Sequence, residues 1–258
     1  MPENTNILSY TISGKGNPVV FLHGFLEDKS MWEEIVAHLT CVQSICIDLP
    51  GHGSSSIVKD LSLTKIAQLV KNTLASLEVT KFSIVGHSLG GYVALEMAED
   101  NNLQIDDIVL LHSHPWADSE EKKVNRKRTA KVVAYDKGLF INEAIPNLYH
   151  SSNQERLSAT IVSGIKLAKQ MDEQAIIESL YAMSSRTDKT EILSKWGERL
   201  HIIQGEFDSL IDTDEMQTIA KEYGNKYNLI KGIGHMGHQE APEEVFAHLN
   251  FLNITNQI

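Results

Sequence analysis

Residues 84–98 read IVGHSLGGYVALEMA, and three glycines crowd one serine between an apolar run and a helix-forming run. A glycine fixed in a folded chain costs conformational entropy, so Gly86, Gly90 and Gly91 need a reason beyond joining a strand to a helix. Gly86-His87-Ser88-Leu89-Gly90 matches G-x-S-x-G, in which a serine occupies a strained strand-to-helix turn and its hydroxyl stands clear of the strand ends. Residues 82–86 read as that strand and residues 89–99 as that helix. Gly86 and Gly90 then remove side chains that the turn would force together, and Gly91 lets the helix pack closely. The helix N-terminus lies beneath the hydroxyl. The plainer alternative is a glycine-rich helix start with Ser88 as an ordinary N-cap.

The same alternation runs outward in both directions. Short apolar runs at 7–13, 19–23, 44–48, 108–112 and 200–204, with a weaker one at 228–231, predict further strands. Helical patterns at 30–39, 63–77, 215–223 and 242–252 fall between or after them. Continuously apolar strands separated by helices predict an α/β chain with a mostly parallel sheet covered on both faces. Residues 114–193 break the alternation, with no convincing strand and helical patterns at 118–137, 140–148, 154–169 and 172–184. The first of these is expected to start at an Asp-x-x-Glu box on Asp118 and to end at Gly138. The chain therefore divides into a core of 1–113 and 193–258 and a helical insertion of 114–192.

Bulk properties narrow the partners. The 258 residues suffice for one large domain with an insertion, and the formal net charge is −11. Such an acidic surface argues against nucleic acid and anionic membranes. No apolar stretch approaches the roughly 18 residues of a membrane span. The opening MPENTNILSY has neither the basic nor the apolar segment of a leader, so a cytoplasmic location is expected. Cys41 and Cys46 would point to opposite faces of one strand and predict two free thiols.

A serine hydroxyl attacks only when a base takes its proton, and an acid must hold that base. In sheets of this kind the order along the chain is Ser, acid, His. Asp208 follows the strand at 200–204 and a glycine, with Glu206, Asp212 and Asp214 as rivals. His235 follows the strand at 228–231 and two more glycines, with His238 as its rival. Other chemistry could draw on neighbouring residues. His112-x-His114 with Asp118, or His235, His238 and Glu240, have metal-ligating types, although the position where an acid is wanted holds Trp116. No G-x-x-x-x-G-K loop occurs, and no nucleotide cofactor is implied. The cationic run Lys122, Lys123, Arg126, Lys127 and Arg128 offers charge to an anionic substrate or is a solvated helix face.

Five further blocks accompany the serine turn in order: VVFLHGFLEDKSMW, CIDLPGHGSSS, MSSRTD, IIQGEFDSLID and GIGHMGHQEAPEEV. Together they resemble the α/β-hydrolase superfamily over nearly the whole chain. The resemblance implies a helical cap at 114–192, Ser88 as nucleophile, His235 as base and then acid, and Asp208 as its orienting partner. It implies an oxyanion hole from the backbone N–H groups of Phe25 and Leu89. His23, His87, His114, Trp116 and Arg126 are candidates for the substrate pocket, with His23 and His87 also expected to brace their loops. The expected substrate is a small ester or lactone, with no cofactor and no metal. The same triad also serves carbon–carbon hydrolysis or a lyase step on a carboxylate-bearing substrate, and a ligand-binding receptor without turnover is the reading from another class.

Overall fold

The computed structural model describes residues 7–253. Residues 1–6, with most of the opening stretch read for a leader, lie outside the described residues. Tyr10–Gly14 (β1), Asn17–Leu22 (β2), Val42–Ile47 (β3), Lys81–His87 (β4), Gln104–Leu111 (β5), Leu200–Gly205 (β6) and Lys226–Ile230 (β7) form one sheet, ordered β1-β3-β2-β4-β5-β6-β7. β1 runs antiparallel to β3, and every other pairing is parallel.

The pleat assigns the two faces. Along β2, Val20 and Leu22 join one apolar cluster while Val19 and Phe21 join the other. The first cluster takes Leu63–Ser76 (α2) and Leu89–Met97 (α3), and the second takes Glu33–Ala37 (α1) and Pro242–Leu249. The expected helix at 30–39 is a 3-10 turn over Lys29–Trp32 leading into α1, with Trp32 wholly buried. α2 begins where Ser62 accepts a hydrogen bond from the Lys65 N–H.

Between β5 and β6 the described residues are helical. Glu120–Ala144 (α4), Ser158–Ala168 (α5), Glu173–Ser184 (α6) and Thr190–Trp196 (α7) follow one another, and α4 packs chiefly on α6. Two details differ from the sequence expectation. The cap of α4 is Ser119, which accepts from the Lys122 N–H, because Asp118 is engaged by arginines. The helix does not end at Gly138. It kinks at Asp136 (φ −153°, ψ 91°), whose carboxylate accepts from the Leu139 N–H at 2.9 Å and so caps a second helical half. Thr213–Tyr223 (α8), Gly237–Glu240 (α9) and Pro242–Leu249 (α10) complete the fold. Both cysteines are free thiols, and burial raises that of Cys46 to about 12.

Candidate active site

Parallel strands deliver their carboxyl ends to one edge of the sheet, where groups from distant parts of the chain converge. Ser88 leaves β4, His112 leaves β5, Asp208 leaves β6 and His235 leaves β7. Ser88 has φ 48° and ψ −111°, a conformation that costs an L-residue on the order of 1–3 kcal/mol and needs its surroundings to impose it. They do. The Ser88 N–H donates to the Leu111 carbonyl at 3.0 Å, and Ser113 Oγ donates to the Ser88 carbonyl at 2.8 Å. A Cβ on Gly86 would strike the backbone of Gly90 and Gly91, and one on Gly90 would strike the backbone of Leu22 and His23. Those glycines are therefore the condition for the turn.

His235 Nδ1 lies 2.8 Å from Asp208 Oδ2, and both groups are buried. His112 Nδ1 approaches the same oxygen at 3.2 Å, Gln204 donates to it at 2.9 Å, and the Leu210 N–H donates to Oδ1 at 2.9 Å. Burial alone would raise the Asp208 carboxyl. His235 and His112 reverse that and hold it well below the usual carboxylate range. Burial lowers His112 to about 4 despite its acid partner, so it is neutral at pH 7. Of the rivals for the acid, Glu206 binds the Gly232 N–H and Asp212 caps α8. His238, the rival base, faces Glu27 instead of Asp208.

Ser88 and His235 meet as walls of one cavity of about 340 Å³. Among the described residues Ser88 Oγ makes no hydrogen bond, so the Asp–His leg is closed and the Ser–His leg is open. Nucleophile–base contacts in unliganded sites are often long and tighten with substrate. Neither the Phe25 nor the Leu89 backbone N–H has an acceptor among the described residues, and Phe25 lines the cavity. Unpaired donors beside a serine hydroxyl are what a developing oxyanion requires.

The five pocket candidates divide. His87, His114 and Arg126 line the cavity, whereas His23 and Trp116 do not. His23 is wholly buried, with Nδ1 on the Gly24 carbonyl and Nε2 accepting from the Leu49 N–H, which makes it a loop brace. Trp116 is half-buried, stacks beside His114 and offers its carbonyl to Arg186 Nε. His114 Nδ1 accepts from the Trp116 N–H, and burial followed by nearby Arg186 keeps the ring neutral, so its Nε2–H donates to Tyr92 Oη at 3.0 Å.

Sequence reasoning misses the roles of three participants. Asp118 is buried between Arg126 and Arg186, the second at 2.8 Å. Arg186 is itself buried, lies 4.2 Å from the Tyr92 ring centre and keeps Nη2 without a partner among the described residues. With Lys122 the cavity wall thus carries three cations, against the acids Asp118 and Glu27. Arg186 stands within the quoted MSSRTD block, which is its available signal. Glu27, the third, lies in the acidic turn Glu27-Asp28, whose spacing carries no sign of its distant histidine partners.

Among the described residues, two groups of three bring His, Asp or Glu donor atoms within 4.8 Å of each other: His112, Asp208 and His235, and Glu27, His87 and His238. Their closest contacts are 2.7–3.2 Å, the separations of hydrogen bonds. His112 and His114 do not share a site: the first joins Asp208 and the second joins Tyr92. Glu240 instead braces the His235 loop by accepting from the Gly234 and His150 N–H groups.

A family model described as alpha/beta hydrolase fold matches residues 17–242. A curated relative from Enterobacter sp. (strain 638), named 2-succinyl-6-hydroxy-2,4-cyclohexadiene-1-carboxylate synthase, is 29% identical over 238 residues, covering 90% of this chain and 89% of the relative. Among solved structures, a thermophilic esterase from Thermogutta terrifontis with malate bound superposes with a TM-score of 0.89 at 26% identity, covering 95% and 92% of the two chains. An enol-lactonase from Burkholderia xenovorans LB400 superposes with a TM-score of 0.87 at 19% identity over 96% of each chain, a likeness of fold.

Proposed function

This chain belongs to the alpha/beta hydrolase fold family, and from that premise we propose that it hydrolyses a small ester or lactone through an acyl-enzyme on Ser88. The observation that carries this reading is the buried Asp208–His235 pair beside a cavity that Ser88 enters from a strained turn. His235 takes the Ser88 proton as Oγ adds to the carbonyl carbon. Charge grows on the carbonyl oxygen and is met by the free N–H groups of Phe25 and Leu89, each such donor being worth about 2.7–4 kcal/mol of barrier. Asp208 fixes the His235 tautomer and stabilises the imidazolium. His235 returns the proton to the leaving alcohol, and water then releases the acid. The segment at 114–192 acts as the cap that selects the substrate. Arg126, Arg186 and Lys122 favour a substrate that itself bears a carboxylate, and the related Thermogutta terrifontis esterase was solved with malate, a dicarboxylate, bound.

A second reading keeps the residues and changes the bond. The curated relatives carry a synthase name, and Ser88 with His235 can take a proton from carbon to begin a lyase step on the same carboxylate-bearing substrate. A panel of p-nitrophenyl esters of rising acyl length, lactones and acidic 1,5-diketones separates the two. Hydrolysis of an ester or lactone by the wild type, reduced by ~10⁶-fold in Ser88→Ala, supports the first reading. Wild-type rates in Ser88→Ala would end the nucleophile assignment, and turnover confined to the diketones or to eliminations would move the chain to the second class.

A further inference from the structure

His87, the neighbour of Ser88, is wholly enclosed, and both its ring nitrogens meet oxygens that accept. Nδ1 is 2.7 Å from Glu27 Oε2, and Nε2 is 3.1 Å from the main-chain carbonyl of His235. A neutral imidazole has one N–H and one bare lone pair. In either tautomer, a neutral His87 would press its bare nitrogen against an oxygen lone pair. The carbonyl has no proton to give. The carboxylate would have to be protonated to give one, yet the same Oε2 already accepts from the Gly24 N–H at 3.1 Å, as an ionised oxygen does. A second proton on the ring would give both oxygens a donor, and a metal at the Glu27–His87 contact is the other cation to weigh. Ligands about 2.0–2.2 Å from a tetrahedral zinc stand roughly 3.4 Å apart, so a 2.7 Å separation suits a proton better than a metal.

We propose that His87 is an imidazolium clamped between the Glu27 carboxylate and the His235 carbonyl, and that this second acid–imidazole pair is a positioning device for the His235 backbone. The inference rests on the reading of His235 as the base. The titratable groups packed around His87 are Glu27, His238, His112, Asp208 and His235, whose ring centre lies 5.2 Å away. Burial pulls His87 down, and the Glu27 carboxylate more than restores it, leaving the ring raised above its ordinary value. His238, from α9, lies 3.2 Å from the other Glu27 oxygen and is lowered by burial, hence neutral. His112, from the end of β5, is 5.9 Å away ring to ring and neutral as well. Asp208 contributes only a distant negative charge from beyond His235. The Gly24 N–H donates to Glu27 Oε2 at 3.1 Å, so the carboxylate is anchored independently of the rings.

Glu27→Gln separates charge from packing. Its amide can donate to a bare Nδ1, keeping the ring in place while removing the need for its second proton. Nitrogen-15 NMR of the intact histidine-labelled protein at pH 7 reads the outcome, with the His87 signal identified by its loss in His87→Gln. The expected result is two protonated nitrogens on His87 in the wild type and one bare nitrogen in Glu27→Gln. With an ester whose turnover depends on Ser88, His87→Gln loses ~10–100-fold in kcat with KM nearly unchanged, the scale of a base misplaced by about 1 Å, whereas Glu27→Gln, whose ring still donates to the His235 carbonyl, loses less. The wild type should lose activity as pH rises through the raised His87 value, and Glu27→Gln should lack that alkaline limb. A bare His87 nitrogen in the wild type at pH 7, or a stoichiometric metal whose removal by chelator shifts the His87 signal, overturns the imidazolium. Unchanged kcat in His87→Gln overturns the positioning role. Absence of Ser88-dependent turnover in the wild type overturns the hydrolase reading instead, while the NMR signal still decides the protonation of His87.

Discussion

Asp208 and Asp118 are both fully buried carboxylates beside one cavity, and they are held by different chemistry. Asp208 hangs from the end of β6 among imidazoles, an amide and a backbone N–H. Asp118 precedes α4 and is clasped by the guanidinium groups of Arg126 and Arg186. An imidazole gives up and regains a proton near neutral pH, whereas a guanidinium stays charged throughout. The sheet edge is therefore wired for a proton to move. The helical segment holds fixed charge that can recognise but not exchange.

The contrast is broken most severely by Asp208→Asn. The imidazole keeps a partner but loses its preferred tautomer, and by analogy with other triads kcat falls about 10⁴-fold, measured on the best ester with folding checked by circular dichroism. Asp118→Ala should do the converse. Removing one member of a buried ion cluster strands the other charges and costs about 3–5 kcal/mol of stability, read from urea unfolding, while kcat in the surviving folded fraction stays within tenfold.

Acid sharpens the comparison further. His112 has its folded value lowered to about 4, and burial lowers His52 to about 3. A depressed histidine contributes stability above its unfolded value of about 6.5, and that contribution fades as pH falls toward the folded value. Asp208, depressed as a carboxylate, adds a further loss below about pH 4. Calorimetry should therefore show Tm falling continuously from pH 6.5 downward, and His112→Gln should flatten the upper part of that fall. The smallest effect belongs to Ser119→Ala, which removes the cap of α4 and should cost about 1 kcal/mol without touching the kinetics at the sheet edge.

The same division governs what the sequence reveals. The strand ends are legible because each chemical residue follows an apolar run and a glycine, a local signal that Ser88, Asp208 and His235 all carry. Glu27 and Arg186 have no such local signature. Their roles arise from partners far along the chain, Glu27 with His87 and His238, and Arg186 with Asp118 and Tyr92. The α4 start escapes a sequence reading for the same reason. Asp118 and Ser119 are both good N-caps by residue type, and tertiary arginines decide that the serine caps. At Asp136 the sequence offers Gly138 as a stop, but an aspartate that recaps its own helix permits the chain to bend and continue. His23 is the converse case: a histidine in a family-like loop whose two nitrogens are spent on backbone groups.

Fluorophosphonate labelling followed by peptide mass mapping tests the central claim most directly. The predicted result is a single adduct on Ser88, formed at nearly the wild-type rate in Asp118→Asn and far more slowly in Asp208→Asn, by up to the roughly 10⁴-fold of a lost triad acid. An unlabelled Ser88 in the folded wild type, or equal labelling rates in the two aspartate variants, would contradict it.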